Sequence, residues 1–304
     1  MKYMVTGLGG IGGYIAAVLL NRFPQEVTLV ARGARKRALE KQGLIMHSAR
    51  MGERTFSDLH VIDDPAQAGV QDMIFVSVKN FSLVEAVEAL KPCVDDHTIV
   101  VPVLNGIDHA QVTADTLQQG YVVDSLIYMG AHYNEDYSYC QNTAYGRLFI
   151  GSPWPDKNEL VKAALGGGPE LDFIISPDMK SDAWKKYVSN CGYNTITAYY
   201  GCNGRGIFEH PERMAELRSL FEEALAVGQA DGAVFPDGHI DNLTAMLFSP
   251  ENLDGSSSLA ADAIAGRQSE LETFGGHLTR LAKKLGVAVP VSERFYREMK
   301  ARGI

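Results

Sequence analysis

An α/β domain followed by an all-α domain is the fold class this sequence predicts, and three observations predict it. A glycine-rich turn, Gly7-Leu8-Gly9-Gly10-Ile11-Gly12, stands between a strand pattern and a helix pattern. Short apolar runs then alternate with helical stretches as far as residue 176, which is the pattern of a sheet with crossover helices. Beyond that point the apolar period is helical throughout. The expected domains are therefore 1–176 and 177–304.

The chain of 304 residues is long enough to bury a core in one large or two ordinary domains. Its formal net charge of −9 argues against a broad nucleic-acid surface, which would need a basic face. Cys93, Cys140, Cys191 and Cys202 show no CxxC or zinc spacing and read as free thiols. The eight histidines form no HExxH-like pair, so no metal site is expected. The apolar run 14–20 is too short to span a bilayer and follows a glycine turn rather than a basic leader segment. A cytoplasmic enzyme or binding protein is the expectation, with a small-molecule partner and neither nucleic acid nor membrane. A homodimer is compatible with this pattern, which carries no signal of oligomeric state.

Residues 2–6 read as a short buried strand leading into G-x-G-x-x-G at 7–12. Ile11, Ile15, Val18 and Leu19 follow at helical spacing, and 26–30 is a second strand, so the motif lies in a βαβ unit. This is the context of a Rossmann-type dinucleotide-binding domain. Gly7 permits the tight turn, Gly9 lets backbone approach a pyrophosphate, and Gly12 lets helix pack on strand, with Leu8, Gly10 and Ile11 completing the loop. About 20 positions on, where a carboxylate would favour NAD, stands Arg32. Arg35, Lys36 and Arg37 follow with no acidic residue between Val30 and Arg37, an arrangement that invites the 2′-phosphate of NADP(H). A solvated basic turn before the helix 34–41 is the plainer alternative.

Strands are expected at Leu44–Ser48 and 55–62, then at 73–78, whose continuous apolar run suits a central parallel strand. Lys79 comes directly after it, placed to meet an anion at the carboxyl end of the sheet. Helix Leu83–Leu90 returns the chain to a strand at 98–103, which ends in Leu104-Asn105-Gly106. Asn105 there can touch a nicotinamide or a substrate, although Asn-Gly alone is an ordinary turn. Further strands are expected at 121–129, 146–151 and 173–176, with 137–142 in a connecting hairpin.

The helical half opens on 182–198, where Lys186, Asn190 and Asn194 recur every fourth residue. At about 100° per residue they form one polar row on a helix otherwise rich in Trp184, Tyr187, Val188, Cys191, Tyr193 and Ile196. Polar groups on such a helix need a polar cavity, since burying them unpaired is costly. Asp178 or Ser181 can cap this helix. A long helix follows from Pro211, with Met214, Leu217, Phe221 and Leu225 on one face and Gly232 as its stop. A shorter helix is expected at 241–248. Ser258, in a serine run, reads most simply as a helix cap, and Glu270 as a carboxylate in the first turn of the helix that carries Leu271, Phe274, Leu278, Leu281 and Leu285.

With these residues in hand the chain resembles the ketopantoate reductase family. The features that carry the resemblance are GLGGIG at 7–12, the arginine after the second strand, SVKN, VLNG, KKYVSNCGYN and SSSLAADAIAGRQSELE. Leu259, Ser269 and Glu272 depart from the family's methionine, threonine and aspartate. The resemblance implies Lys186 as catalytic lysine, Glu270 as active-site carboxylate, and Asn105, Asn190, Asn194 and Ser258 as substrate contacts. It also implies Lys79 and Arg32 on the cofactor side, with Asn105 and Glu270 reaching the cofactor as well. The reaction implied is NADPH-dependent reduction of ketopantoate to pantoate, in pantothenate biosynthesis, in a cleft between the two domains. In it Lys186 polarises the ketone and protonates the nascent alkoxide. Two rivals stand: an NADP-dependent reductase of another 2-oxo or 3-oxo acid, and a non-catalytic dinucleotide-binding paralogue.

Overall fold

The first strand, β1 (Tyr3–Thr6), has every residue buried, and it enters helix α1 (Gly10–Arg22) through the glycine turn. In the computed structural model, which describes residues 1–304, the chain divides into two units, 1–179 and 180–304.

The first unit continues with β2 (Val27–Val30), α2 (Gly33–Gln42), β3 (Leu44–Ser48), β4 (Gly52–Phe56), β5 (His60–Ile62) and β6 (Met73–Val76). Next come α3 (Leu83–Leu90), β7 (Ile99–Pro102), α4 (His109–Leu117), β8 (Tyr121–Val122) and β9 (Asp124–Tyr128). The unit ends with β10 (Ala131–Tyr133), β11 (Tyr139–Gln141), β12 (Arg147–Gly151), α5 (Pro155–Leu165) and β13 (Asp172–Ile175). Six strands form one sheet in the order β5-β2-β1-β6-β7-β8, every pairing parallel. Its central strands are apolar on both faces because both are covered. Tyr3, Val5, Met73 and Phe75 pack into the core around α1, while Met4, Ile74 and Val76 join Leu83, Val87 and Leu90 of α3 on the other side. The chain runs outward from β1 in one direction through β2 and β5, then returns and runs the other way from β6. The strand order therefore reverses at β1/β6, the kind of point where such sheets bind ligands at their carboxyl ends.

Two expected strands are each split in two. Within 55–62, Asp58 takes a left-handed conformation (φ +56°), and the turn it makes separates β4, which pairs with β3, from β5, which pairs with β2. Within 121–129 the chain leaves one sheet for another: β8 runs parallel to β7, whereas β9 is antiparallel to β12. The apolar pattern passes through Val123 unbroken because burial does not record which neighbour the backbone pairs with. The central strand expected over 73–78 pairs only to Val76, so Ser77 and Val78 lie in the loop beyond its carboxyl end. The hairpin expected near 137–142 is β10 with β11, part of a second sheet of order β10-β11-β3-β4.

The second unit contains no strand. Helix α6 (Met179–Ser189) widens into a single π-turn, Asn190–Asn194, and resumes as α7 (Thr195–Tyr200). After it come α8 (Gly204–Phe208), α9 (Pro211–Ala230), α10 (His239–Leu247) and α11 (Ser258–Ile264). A second π-turn, Glu272–Gly276, leads into α12 (His277–Leu285), and α13 (Pro290–Ala301) closes the chain. Trp184, Tyr187, Phe221, Phe274 and Phe295 are its largest fully buried side chains. The buried face of α9 is Leu217, Leu220, Phe221, Ala224 and Val227, with Met214 and Leu225 only half-buried. Glu223 on α9 accepts from the backbone N–H groups of Val291 and Ser292 at 2.8 and 2.7 Å, which satisfies two of the free donors at the start of α13. Helix α6 begins immediately after Asp178, while Ser181 lies inside it and accepts instead from the Val234 N–H at 2.9 Å. No helix is long and apolar enough to cross a membrane.

Candidate active site

At the carboxyl end of β1 the backbone is fixed by two close approaches. Gly7 has φ +82°, and a Cβ there would lie 2.4 Å from the backbone of Ser77 and Val78 at the end of β6. A Cβ on Gly12 would lie 2.1 Å from the Gly7 carbonyl oxygen, so α1 packs onto its own turn only without a side chain. Gly9 is different: nothing stands within 4 Å of where its Cβ would be. The first turn of α1 has no side-chain cap and no acidic residue, so its free N–H groups carry positive potential into that space. Gly10 faces the other way, with a would-be Cβ 2.2 Å from the Ala131 carbonyl oxygen in β10. Leu8 is buried, Ile11 is half-buried, and the Leu8 carbonyl accepts from the Arg35 guanidinium and from the Tyr139 hydroxyl.

The neighbouring strand ends are tied to this turn. Half-buried Lys79 precedes the short 80–82 turn after β6, and half-buried Asn105 follows β7. The Asn80 side-chain amide donates to the Asn105 carbonyl at 2.8 Å, and the Ser77 hydroxyl donates to the Val103 carbonyl at 3.2 Å. Asn80 and Ser77 escaped sequence reasoning, although Ser77 stands directly after the apolar run of β6 and Asn80 directly after Lys79.

Arg32 is exposed at the start of α2 and donates from Nε to the Asp63 carbonyl at 3.1 Å. Lys36 lies 3.4 Å from the Asp63 carboxylate. The absence of acid between Val30 and Arg37 is therefore only a local fact. The β2–β5 pairing brings Asp63 to the basic turn from outside that stretch. Arg35 leaves the turn altogether, with its guanidinium 3.9 Å over the Tyr133 ring.

In the second unit Lys186 lies half-buried on α6. Burial pulls its ammonium down to about 8, and the nearby Glu270 carboxylate partly opposes that shift. Glu270 itself is buried, one residue before the helix that starts at Leu271, and its carbonyl accepts from the N–H groups of Thr273 and Phe274. A buried carboxylate thus stands beside an ammonium that holds its proton less tightly than an exposed lysine does.

The single polar row expected for Lys186, Asn190 and Asn194 is not what the backbone makes. Asn190 opens the π-turn and Asn194 closes it, so four residues no longer advance by the α-helical angle. Asn194 is buried and Asn190 half-buried. Gly192, between them, is packed by Phe221, whose ring would stand 2.2 Å from a Cβ. Ser258 is not the cap of α11. Ser257 is, with its buried hydroxyl accepting from the Ala260 N–H at 3.1 Å, and Ser258 follows as an exposed first residue. The capping position is one residue earlier because Ser257 also meets the Thr197 hydroxyl at 2.8 Å, a contact available only on the buried side. Asp262, also missed, is buried and accepts from Arg267 Nε at 2.9 Å, which braces the loop leading to Glu270.

Two family models match this chain: Ketopantoate reductase PanE/ApbA over residues 3–154, and Ketopantoate reductase PanE/ApbA C terminal over residues 178–303. The chain belongs to the ketopantoate reductase PanE/ApbA family. Among curated relatives it is 26% identical over 298 residues to the uncharacterized oxidoreductase YkpB of Bacillus subtilis, covering 97% of each chain. It is also 26% identical over 314 residues to a 2-dehydropantoate 2-reductase of Mesorhizobium japonicum, covering 95% of this chain and 94% of that one. A solved D-mandelate dehydrogenase, in a ternary structure with NADH and anilino(oxo)acetate, shares the fold with a TM-score of 0.87 at 18% identity, over 99% of this chain and 97% of that one. Ketopantoate reductases are dinucleotide-binding oxidoreductases, and the parallel-sheet unit followed by a helical unit is the architecture this chain adopts.

Proposed function

We propose that this ketopantoate reductase family member reduces a 2-oxo acid with NADPH, and that ketopantoate, giving pantoate for pantothenate synthesis, is its substrate. The observation that carries the reading is Lys186, an ammonium held near 8 beside the buried Glu270 carboxylate. The open space over Gly9, at the uncapped start of α1, fits a pyrophosphate, and the loop 7–12 with Lys79, Asn105, Glu270 and Arg32 would hold the dinucleotide. When bound, NADPH supplies the hydride.

The chain's own residues handle the proton. Lys186 Nζ donates a hydrogen bond to the ketone oxygen, stabilises negative charge there, and gives up its proton as the hydroxyl forms. Glu270 keeps the ammonium charged and aimed. Asn190, Asn194, Asn105 and Ser258 orient the substrate as neutral donors and acceptors, adding no charge of their own.

The pH dependence follows with a definite sign. Reduction needs protonated Lys186, so kcat falls as pH rises through about 8, by about tenfold per unit beyond it. Oxidation of the hydroxy acid needs the free amine, so its kcat rises through the same pH. A reductive profile flat from pH 7 to 10 removes Lys186 from the proton step.

The test of function is a panel of ketopantoate, pyruvate, 2-oxoisovalerate, 2-oxoisocaproate and a phenyl 2-oxo acid, each with NADPH and with NADH. Preference for ketopantoate supports the proposal, and preference for the phenyl substrate favours the activity named for the mandelate dehydrogenase relative. Binding without turnover favours a dinucleotide-binding paralogue. Arg32 is exposed on the basic turn, so Arg32→Ala is expected to raise KM for NADPH about tenfold or more while leaving NADH within about twofold. Equal effects on the two cofactors would count against a 2′-phosphate role.

A further inference from the structure

The segments that carry Lys186 and Glu270 are joined by a side chain that belongs to neither residue. Tyr187, adjacent to Lys186, is 1% exposed, and its hydroxyl donates to the Thr273 carbonyl at 2.6 Å, with the Phe274 carbonyl at 3.2 Å as a second acceptor. Both carbonyls lie in the π-turn Glu272–Gly276. A π-turn interrupts the regular α-helical ladder, so a carbonyl within it can take a partner from outside the helix. The Phe274 carbonyl also accepts from the His277 N–H and meets the Cys191 thiol at a long 3.9 Å, so the short bond that Tyr187 makes is the one to the Thr273 carbonyl. The Thr273 N–H in turn donates to the Glu270 carbonyl at 3.0 Å. A continuous path therefore runs from the Lys186 backbone through the Tyr187 hydroxyl and Thr273 to the Glu270 backbone.

We propose that Tyr187 is a positioning residue, whose hydroxyl holds the Glu270 segment at a fixed distance from the Lys186 helix and so sets the environment of the Lys186 ammonium. The proposal rests on the reading of Lys186 as proton donor. The ring alone does not explain the hydroxyl. Packing against Trp184 at 5.4 Å, Phe274 at 6.3 Å and His277 at 6.1 Å between ring centroids is available to phenylalanine as well. What the hydroxyl adds is the link between two helical segments, made at a carbonyl that no side-chain substitution can supply.

Glu270 on the facing segment is the charged group that acts on Lys186, while the Cys191 thiol and Tyr187 phenol lie on the same helical run and His277 packs against the Tyr187 ring. Lys185 and Asp182 pair with each other at 2.9 Å. Burial is the largest influence on Lys186, so loosening this link admits water and moves the ammonium up toward the ordinary lysine value of 10.5.

The experiment compares the full-length protein with Tyr187→Phe, Tyr187→His and Cys191→Ala. For each, the pH profile of oxo-acid reduction is measured, and Lys186 is titrated by NMR of 13Cε-labelled lysine, its signal assigned through Lys186→Ala. Tyr187→Phe is expected to lower kcat about 10- to 100-fold with KM for NADPH within about twofold, and to move both the kinetic limb and the lysine titration to higher pH. Tyr187→His keeps a ring N–H donor and should recover part of both effects, and it serves as the test variant if Tyr187→Phe does not fold. Cys191→Ala should leave both values where they are. A donor-free variant that folds with unchanged kcat and an unchanged Lys186 titration overturns the proposal. If the parent protein turns over no oxo acid while the lysine titration still moves in Tyr187→Phe, the positioning role stands and the assigned function falls.

Discussion

Lys186→Ala is expected to lower kcat for oxo-acid reduction by about 10²- to 10⁴-fold, the range that a positioned acid and its charge contribute. The ketone oxygen gains a negative charge as hydride arrives, and without Lys186 that charge is met only by neutral donors and water. Burial has already brought the ammonium down to about 8, so the proton is released more readily than from an exposed lysine. The same substitution leaves a carboxylate that is only 5% exposed without the cation that acts on it, so some stability is lost as well. Thermal unfolding of the variant therefore has to accompany the kinetics. Lys186 is proposed to meet the ketone oxygen rather than the dinucleotide, so NADPH titration by fluorescence should give a Kd within about twofold of the parent. Turnover at the parental rate would take Lys186 out of the mechanism. A loss confined to NADPH affinity would make it a cofactor contact instead.

A paired substitution in the glycine turn separates folding from binding. Gly9→Ala places a methyl where nothing stands within 4 Å, so urea unfolding should shift by no more than about 0.5 kcal/mol. That space is where the pyrophosphate is proposed to run, so affinity for NADPH should fall by about tenfold or more, equivalent to about 1.4 kcal/mol. Gly7→Ala should behave in the opposite way. Its φ of +82° is strained for any residue with a Cβ, and the methyl would press to 2.4 Å on the backbone of Ser77 and Val78, which cannot turn aside as a side chain can. A stability loss of about 3 kcal/mol or more is expected, with dinucleotide binding lost as a consequence of disorder at the β1/β6 junction. Were Gly9→Ala to bind NADPH as tightly as the parent, the dinucleotide would have to approach the sheet elsewhere.

Much of this architecture follows from local pattern. The all-buried strands, the glycine turn between β1 and α1, the start of α9 at Pro211 and the change to helical periodicity are each set by a few neighbouring residues. Steric rules and apolar spacing act at that range. Lys186, Asn190 and Asn194 could be singled out as residues, because polar groups on an apolar helix stand out in any sequence, whereas Glu270 gained a role only through the family resemblance. Pairing partners could not be read in the same way. Residues 121–129 keep one apolar pattern while serving two sheets, since burial specifies a face and not a neighbour. Asp63 reaches Lys36 only because β5 lies beside β2.

The two π-turns and the Tyr187 link were likewise decided by tertiary structure. Asn190–Asn194 has the composition of an ordinary buried helix, and what distinguishes it is the Phe221 ring seated against Gly192. Whether Tyr187 is only a core ring or also ties the Lys186 helix to the Glu270 segment depends on a carbonyl more than eighty residues away, at Thr273. Sequence by itself thus determined which faces are buried, where the chain turns and which polar residues needed a use, because those depend on contacts a few residues apart. Only the tertiary structure decided which charge stands beside which, because hydrogen bonds and ion pairs are fixed by geometry between segments that the sequence keeps far apart.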